Sequence, residues 1–312
     1  MDPKSVNCVI YHGNCSDGFG AAWAAWKVLG NKAEYHAAFH GKAPPDVTGK
    51  RVVVLDFAYD KKITKHLIAT AEDFEMRDHH KSAMMMLDGI AKPDWFQLGN
   101  SGAILAWEYF HRGIPAPRFL QFIENRDMGW KPYMEYSKEF STAFDMIPLE
   151  FPAYDRMMNA SVVDDCIRKG SHILPYADAA IDKVCSKAVK RKLQEHCVLV
   201  VNSTQWISEV GMRLAPDCDY AIVWYWDHNE KYAKVSLRSF HDHIDCGSIA
   251  KRFGGGGHAE IAGFEYSGNI EDLFKKQIKT LRIETKDSGA QQLTGSSELG
   301  YDLDVDSSSF GK

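Results

Sequence analysis

Apolar residues in this chain fall first in short unbroken runs and then in helical spacing. Residues 7–11 (NCVIY) read as a buried strand, and residues 51–57 (RVVVLDF) as a second, rich in β-branched side chains. Residues 73–77 give a third. Between the first two the period changes: Phe19, Ala22, Trp23 and Trp26 fall at i, i+3, i+4 and i+7 within 18–29, and Gly30 stops the helix. Residues 101–112 read as another helix, with Ser101 as N-cap and Gly113 as stop. Strands alternating with helices imply βαβ units and a mainly parallel sheet.

The pattern weakens after residue 132. It resumes with Ile181, Val184, Cys185, Ala188, Val189 and Leu193 on one helical face, opposite Lys183, Lys187, Lys190 and Arg191. This reads as a connecting helix with a solvated basic face. A second domain starts near residue 196. A strand at 197–201 precedes a helix at 204–214, and a hairpin joins 220–226 to 232–240 through a turn at 227–230. A helix ends at 249–253, and Gly254-Gly255-Gly256-Gly257-His258 follows. Residues 285–312 hold six serines, four glycines and a net charge of −3, the composition of a disordered tail. The expected fold class is α/β: a mainly parallel-sheet domain (1–135), a helical connector (136–195), a smaller α/β domain (196–284) and the tail (285–312).

Composition narrows the function classes. A hydrophobic share of 45% and 312 residues suit two globular domains. Net charge is −5, so no basic excess advertises a long nucleic-acid duplex as partner, whereas short anionic ligands need only a local positive site. The seven cysteines include no C-x-x-C pair, which argues against a disulfide framework or structural zinc and for a reducing, cytoplasmic setting. The opening MDPKSVNCVIYHG lacks the features of a signal peptide, and no apolar run is long enough to span a membrane.

Metal-capable side chains cluster at the expected strand ends. The first strand runs into YHGNCSDGFG, with His12, Cys15 and Asp17. The second runs into LDFAYD, with Asp56 and Asp60, and the third into RDHHKSA, with Asp78, His79 and His80. A fourth segment, FIENRDMGW, offers Asp127. Ligands of open α/β sheets bind outside the carboxyl ends of the strands, so these segments can converge. Aspartate with neutral imidazole suits a hard-to-borderline divalent ion such as Mn²⁺. In the second half, Gly255, Gly256 and Gly257 lack Cβ atoms that would keep an anion from the backbone N–H groups. His258 supplies a further donor, and Arg238 could pair with phosphate or stack on a base.

The order of these motifs resembles the DHH phosphoesterase superfamily, for which Asp78-His79-His80 is the signature. IAKRFGGGGHAEIAGF and the preceding VSLRSF resemble its C-terminal DHH-associated domain, and the likeness is to the oligoribonuclease-like members. The resemblance implies a two-metal phosphoesterase, served by Mn²⁺ with Mg²⁺ or Co²⁺ as substitutes. Asp56 would bridge the metals, with Asp17, His79 and Asp127 completing one site and His12 serving the other. Asp78 and His80 would belong to the catalytic signature, His80 in the outer shell or donating to the phosphate. Arg238, the glycines and His258 would hold the nucleotide. The family usually has D-x-D in its first motif. Here Cys15 occupies the first carboxylate position, either as a thiolate ligand or as a small packed residue. The implied substrate is a short single-stranded oligonucleotide or small nucleotide derivative, with no membrane partner and a homodimer left open. The alternatives are a nucleoside 3′,5′-bisphosphate phosphatase, a cyclic-dinucleotide phosphodiesterase, or a nucleotide-binding protein without metals.

Overall fold

The computed structural model describes residues 1–129 and 134–274 of the chain. The first half comprises β1 (Cys8–His12), α1 (Ser16–Leu29), β2 (Glu34–Ala38), β3 (Arg51–Leu55), α2 (Lys61–Thr70), β4 (Asp73–Arg77), α3 (Lys81–Met86), α4 (Gly102–Phe110) and α5 (Arg118–Asp127). After these come α6 (Ser137–Phe144), α7 (Phe151–Arg156) and α8 (Ala160–Cys185). The second half comprises β5 (Val189–Leu193), β6 (His196–Asn202), α9 (Ile207–Leu214), β7 (Tyr220–Asp227), β8 (Tyr232–Arg238), α10 (Cys246–Lys251), β9 (Gly256–Gly257) and β10 (Ile261–Tyr266).

The first sheet is parallel throughout, in the order β2-β1-β3-β4. Its central strands have apolar side chains on both faces, which is why they read as unbroken hydrophobic runs. Val9, Val53 and Leu55 enter one core with α1, α4 and α5, while Cys8, Ile10, Val52 and Val54 enter the other with Phe57, Leu67, Met76 and Trp95. The mixed second sheet has the order β5-β6-β7-β8-β10-β9, with β6 and β7 parallel. It too separates two apolar clusters, one around Ile222 and Phe264 and one around Val210 and Val223. The α/β class and its two sheets match the sequence reading.

The segment 136–195 is not a simple connector. Phe140, Phe144, Tyr154, Val163 and Cys166 complete the core of the first lobe, while Ile181 belongs to the second. The long helix α8 thus carries apolar residues of both lobes. The helical face expected over 181–193 breaks at Cys185, and Val189–Leu193 instead forms an edge strand antiparallel to β6. Helical spacing of apolar residues through Ala188 masked a strand whose partner lies beyond the next turn. Lys190 and Lys192 are exposed on this edge, where charge discourages further pairing. The tail expected at 285–312 lies outside the described residues.

Asp60 is turned away from the role its sequence neighbourhood suggested. It is the N-cap of α2, and its carboxylate accepts the Ile63 N–H at 2.8 Å. Asp60→Ala should lower stability by about 1 kcal/mol, the usual cost of losing such a cap, and leave hydrolysis intact. Paired denaturation and activity measurements check this; a large loss of activity at unchanged stability would return Asp60 to the site.

Candidate metal centre

The carboxyl ends of three parallel strands meet at one point. β1 ends in His12, β3 leads directly to Asp56, and β4 leads to Asp78-His79-His80. Asp17 joins them from the first turn of α1, with Cys15 as that helix's N-cap. Asp127 is the last residue of α5, so this side chain comes from a helix end, not the strand end expected for it. The side chains named from sequence therefore converge, although one arrives on a different element.

Asp56 sits at the middle. Its Oδ1 lies 3.2 Å from His79 Nε2, and its Oδ2 lies 3.4 Å from His12 Nδ1. His79 Nε2 also faces Asp127 Oδ2 at 3.4 Å and Asp17 Oδ2 at 3.9 Å. Four overlapping candidate ligand groups result among the described residues; two of them contain both His79 and His80, one with Asp56 and Asp78 and one with His258. In the other two, Asp17, His79 and Asp127 bring ligand atoms within 4.8 Å of one another, and so do His12, Cys15 and Asp56. Asp56 has φ of +55°, in the left-handed region that aspartate tolerates better than most residues.

The donor set fits a cation. Asp56 Oδ1 and His79 Nε2 are buried without an aligned hydrogen bond, despite their proximity. Buried polar groups are rarely left so. Burial, then the charges of Asp56 and Asp127, raise Asp17 well above the usual carboxylate range, and burial likewise raises Asp127. Burial would also raise Asp56, but contact with His12 and His79 outweighs it and holds this carboxyl low. For His79, burial acts downward, yet the surrounding carboxylates win and lift the imidazole to about 10. Without a cation, a proton on His79 partly answers the negative charge of its neighbours. Metal binding would displace that proton.

Asp17 is fixed by a second structural device. Its Oδ2 accepts the Gly102 N–H at 2.7 Å and its Oδ1 accepts the Ala103 N–H at 3.0 Å. A carboxylate at a helix N-terminus satisfies orphan amides and meets the positive end of the dipole. Ser101 is the N-cap by position, as expected, but its hydroxyl does not cap; Asp17 serves α4 from the neighbouring helix. Sequence reading also missed Gly102. A Cβ there would stand 2.4 Å from the Asp56 Cβ and 2.7 Å from its Oδ1, so only glycine lets α4 start beside the Asp56 carboxylate.

Asp78 acts through His80. Fully buried, its Oδ1 accepts the backbone N–H groups of His79 at 2.7 Å and His80 at 3.2 Å, and pairs with His80 Nδ1 at 2.7 Å. This fixes the His80 ring and leaves its Nε2 as the other ring nitrogen.

The C-terminal lobe reaches the same point. The His258 ring lies 4.7 Å from that of His80, nearly parallel, and 5.7 Å from that of His79. Burial and the two neighbouring imidazoles hold His258 down at about 4. It is therefore a neutral donor near pH 7. The glycine run is a short hairpin, tightly packed at Gly255 and Gly257 and open at Gly254 and Gly256. Gly256 and Gly257 pair with β10, and a Cβ on Gly255 would stand 2.1 Å from the Gly263 carbonyl oxygen. Arg238 is not displayed. Its Nη1 donates to Ser236 Oγ and the Leu237 carbonyl, and its Nη2 donates to Ser208 Oγ, while Nε is buried without a partner. A second link between lobes is the ion pair of Arg126 with Glu209 at 3.3 Å. Adjacency to Asp127 was its one signal in the sequence.

A DHHA1 domain model matches residues 198–282. The chain is 32% identical over 294 residues to an uncharacterized protein, R106, of Acanthamoeba polyphaga mimivirus, covering 86% of this chain and 69% of that one. It is 23% identical over 300 residues to the oligoribonuclease NrnB of Bacillus subtilis, covering 85% and 74%. Among solved structures, the DHH domain of a member of a ribosomal-protein family superposes with a TM-score of 0.55 at 11% identity, covering 89% of this chain and 87% of that one. The last likeness speaks for the fold alone. The chain belongs to the DHH phosphoesterase superfamily, a group of phosphoester hydrolases, and carries a DHHA1 domain over residues 198–282.

Proposed function

We propose that the chain hydrolyses phosphodiester bonds in short single-stranded oligonucleotides, using Mn²⁺ held by His12, Asp17, Asp56, His79 and Asp127. The observation that carries this reading is the meeting of His258 with His79 and His80. A ligand held by the DHHA1 lobe is presented directly to the buried carboxylates. Similarity to a protein named oligoribonuclease supports the substrate class.

Bound divalent cations would neutralise phosphoryl oxygens and acidify a water. The chain's own residues do the rest. Asp56 faces both ligand groups, one oxygen to each. Asp17 is held by the amides of α4, so its carboxylate does not swing. Asp78 fixes His80 and favours its protonated form, which can donate from Nε2 to a phosphoryl oxygen. His258, neutral and borne on a packed hairpin, can donate from the other lobe. The division of labour is between a cutting lobe within residues 1–135 and a holding lobe within 196–284.

A product time course with Mn²⁺ tests the substrate. Labelled di- to pentanucleotides should be cut to mononucleotides, ahead of long strands, nucleoside 3′,5′-bisphosphates and cyclic dinucleotides. Turnover of only the last two would overturn the oligonucleotide assignment. His258→Ala should raise KM by roughly tenfold with a smaller effect on kcat, the signature of lost uniform binding. A collapse of kcat at constant KM would place His258 in the chemistry.

A further inference from the structure

The two ligand groups of the centre differ in one respect that the charge pattern does not explain. Asp17, His79 and Asp127 offer only oxygen and nitrogen, whereas His12, Cys15 and Asp56 include a sulfur. We propose that Cys15 ligates as a thiolate, so that the centre has a soft half from His12, Cys15 and one Asp56 oxygen, and a hard half from Asp17, His79, Asp127 and the other. The soft half would take a thiophilic divalent cation such as Zn²⁺ or Co²⁺, and the hard half Mn²⁺. This deepens the reading above and rests on it.

Three observations carry the inference. The ligand atoms of His12, Cys15 and Asp56 lie within 4.8 Å of one another, close enough to share one ion. Asp56 is 2% exposed, and its Oδ2 lies 3.4 Å from His12 Nδ1, so a buried carboxylate oxygen faces the His12 and Cys15 side of the centre. Cys15 is the N-cap of α1, a position where Ser, Thr, Asp or Asn serves a helix well and cysteine has no such advantage. Cys8, Cys166, Cys218 and Cys246, by contrast, sit inside apolar clusters, as structural thiols do.

The amides of a 14-residue helix begin at Cys15, which favours a thiolate. Burial and then the charges of Asp56 and Asp17 act more strongly the other way and keep the metal-free thiol protonated. The proton therefore leaves only when an ion arrives. On coordination the S–H bond breaks, a sulfur–metal bond forms and the proton goes to solvent; no electrons change hands.

The test is a cobalt titration of the metal-free full chain, read by near-ultraviolet absorption and by metal content. Wild type should show a thiolate-to-cobalt charge-transfer band that saturates at one equivalent. Cys15→Ser and Cys15→Asp should both lack the band and still retain cobalt in the hard half. Zn²⁺ affinity of the soft half should fall at least about tenfold in Cys15→Ser, the least expected even for outer-shell changes. Cys15→Asp should favour Mn²⁺ over Zn²⁺. Cobalt bound by wild type without the band would overturn the thiolate and leave the metal reading standing. A band that persists in Cys15→Ser would assign the sulfur elsewhere and also overturn it. If wild type binds no cobalt, Zn²⁺ or Mn²⁺, both the thiolate and the metal-dependent function fall together.

Discussion

Asp56→Asn should reduce hydrolysis by roughly 10³-fold, since the lost charge stabilisation is worth several kcal/mol. Asparagine keeps the shape of the side chain and tolerates the left-handed backbone at this position, so the fold is tested as little as possible. The metal-free variant also gives up the ion pairs with His12 and His79, so its absolute stability is a poor readout. The change on adding Mn²⁺ is a better one. A cation present at a hundredfold its Kd stabilises the native state by about 2.7 kcal/mol. Wild type should show that gain as a rise in thermal midpoint over the chelated protein, and Asp56→Asn should show little of it. Activity within tenfold of wild type, or an undiminished Mn²⁺ shift, would contradict the placement of Asp56 between the two ligand groups.

Gly102→Ala should have the second largest effect, although Gly102 is no ligand. The added Cβ cannot share space with Asp56, so either the start of α4 or the carboxylate must move. Overpacking of this kind costs about 1–3 kcal/mol. Moving the helix start also loosens Asp17, which holds on to the Gly102 and Ala103 amides. Metal affinity should fall by about 10–100-fold, as when outer-shell partners are lost. Gly99→Ala is the control, because nothing lies within 4 Å of a Cβ there. Isothermal titration with Mn²⁺ on folded samples of both variants decides it; equal affinity in the two would mean that α4 is not part of the centre's support.

What was legible in the sequence divides from what was not along a physical line. Groups that act from within their own short segment were legible. Asp78-His79-His80 is contiguous, and the runs at 7–11 and 51–57 are apolar because both faces of their sheet are covered. Groups defined by a partner far along the chain were not. Gly102 is constrained by Asp56, and the capping of α4 by Asp17 joins positions 85 residues apart. Asp60 and Asp56 are chemically identical and four residues apart, so only the start of α2 separates a helix cap from a ligand. Arg238, named from the VSLRSF motif as a partner for phosphate or a base, is buried and donates to Ser236 and Ser208. The glycine run was read for the anion it could admit; the strand beside it, which packs against Gly255 and Gly257, left no mark in that reading.

The left-handed backbone at Asp56 has a consequence for how this site can vary. Two unrelated filters act on one position. The conformation favours glycine, asparagine and aspartate, and the chemistry needs a short side chain with two anionic oxygens directed to opposite sides. The sets intersect in a single residue. Glutamate, the substitute that charge alone would permit, is disfavoured by the backbone, and asparagine, the substitute the backbone would permit, lacks the charge that the proposed role calls for. Asp17, by contrast, lies in a regular helix, where the backbone imposes no such choice. The middle of this centre is therefore the position at which backbone and proposed chemistry together leave the fewest substitutes.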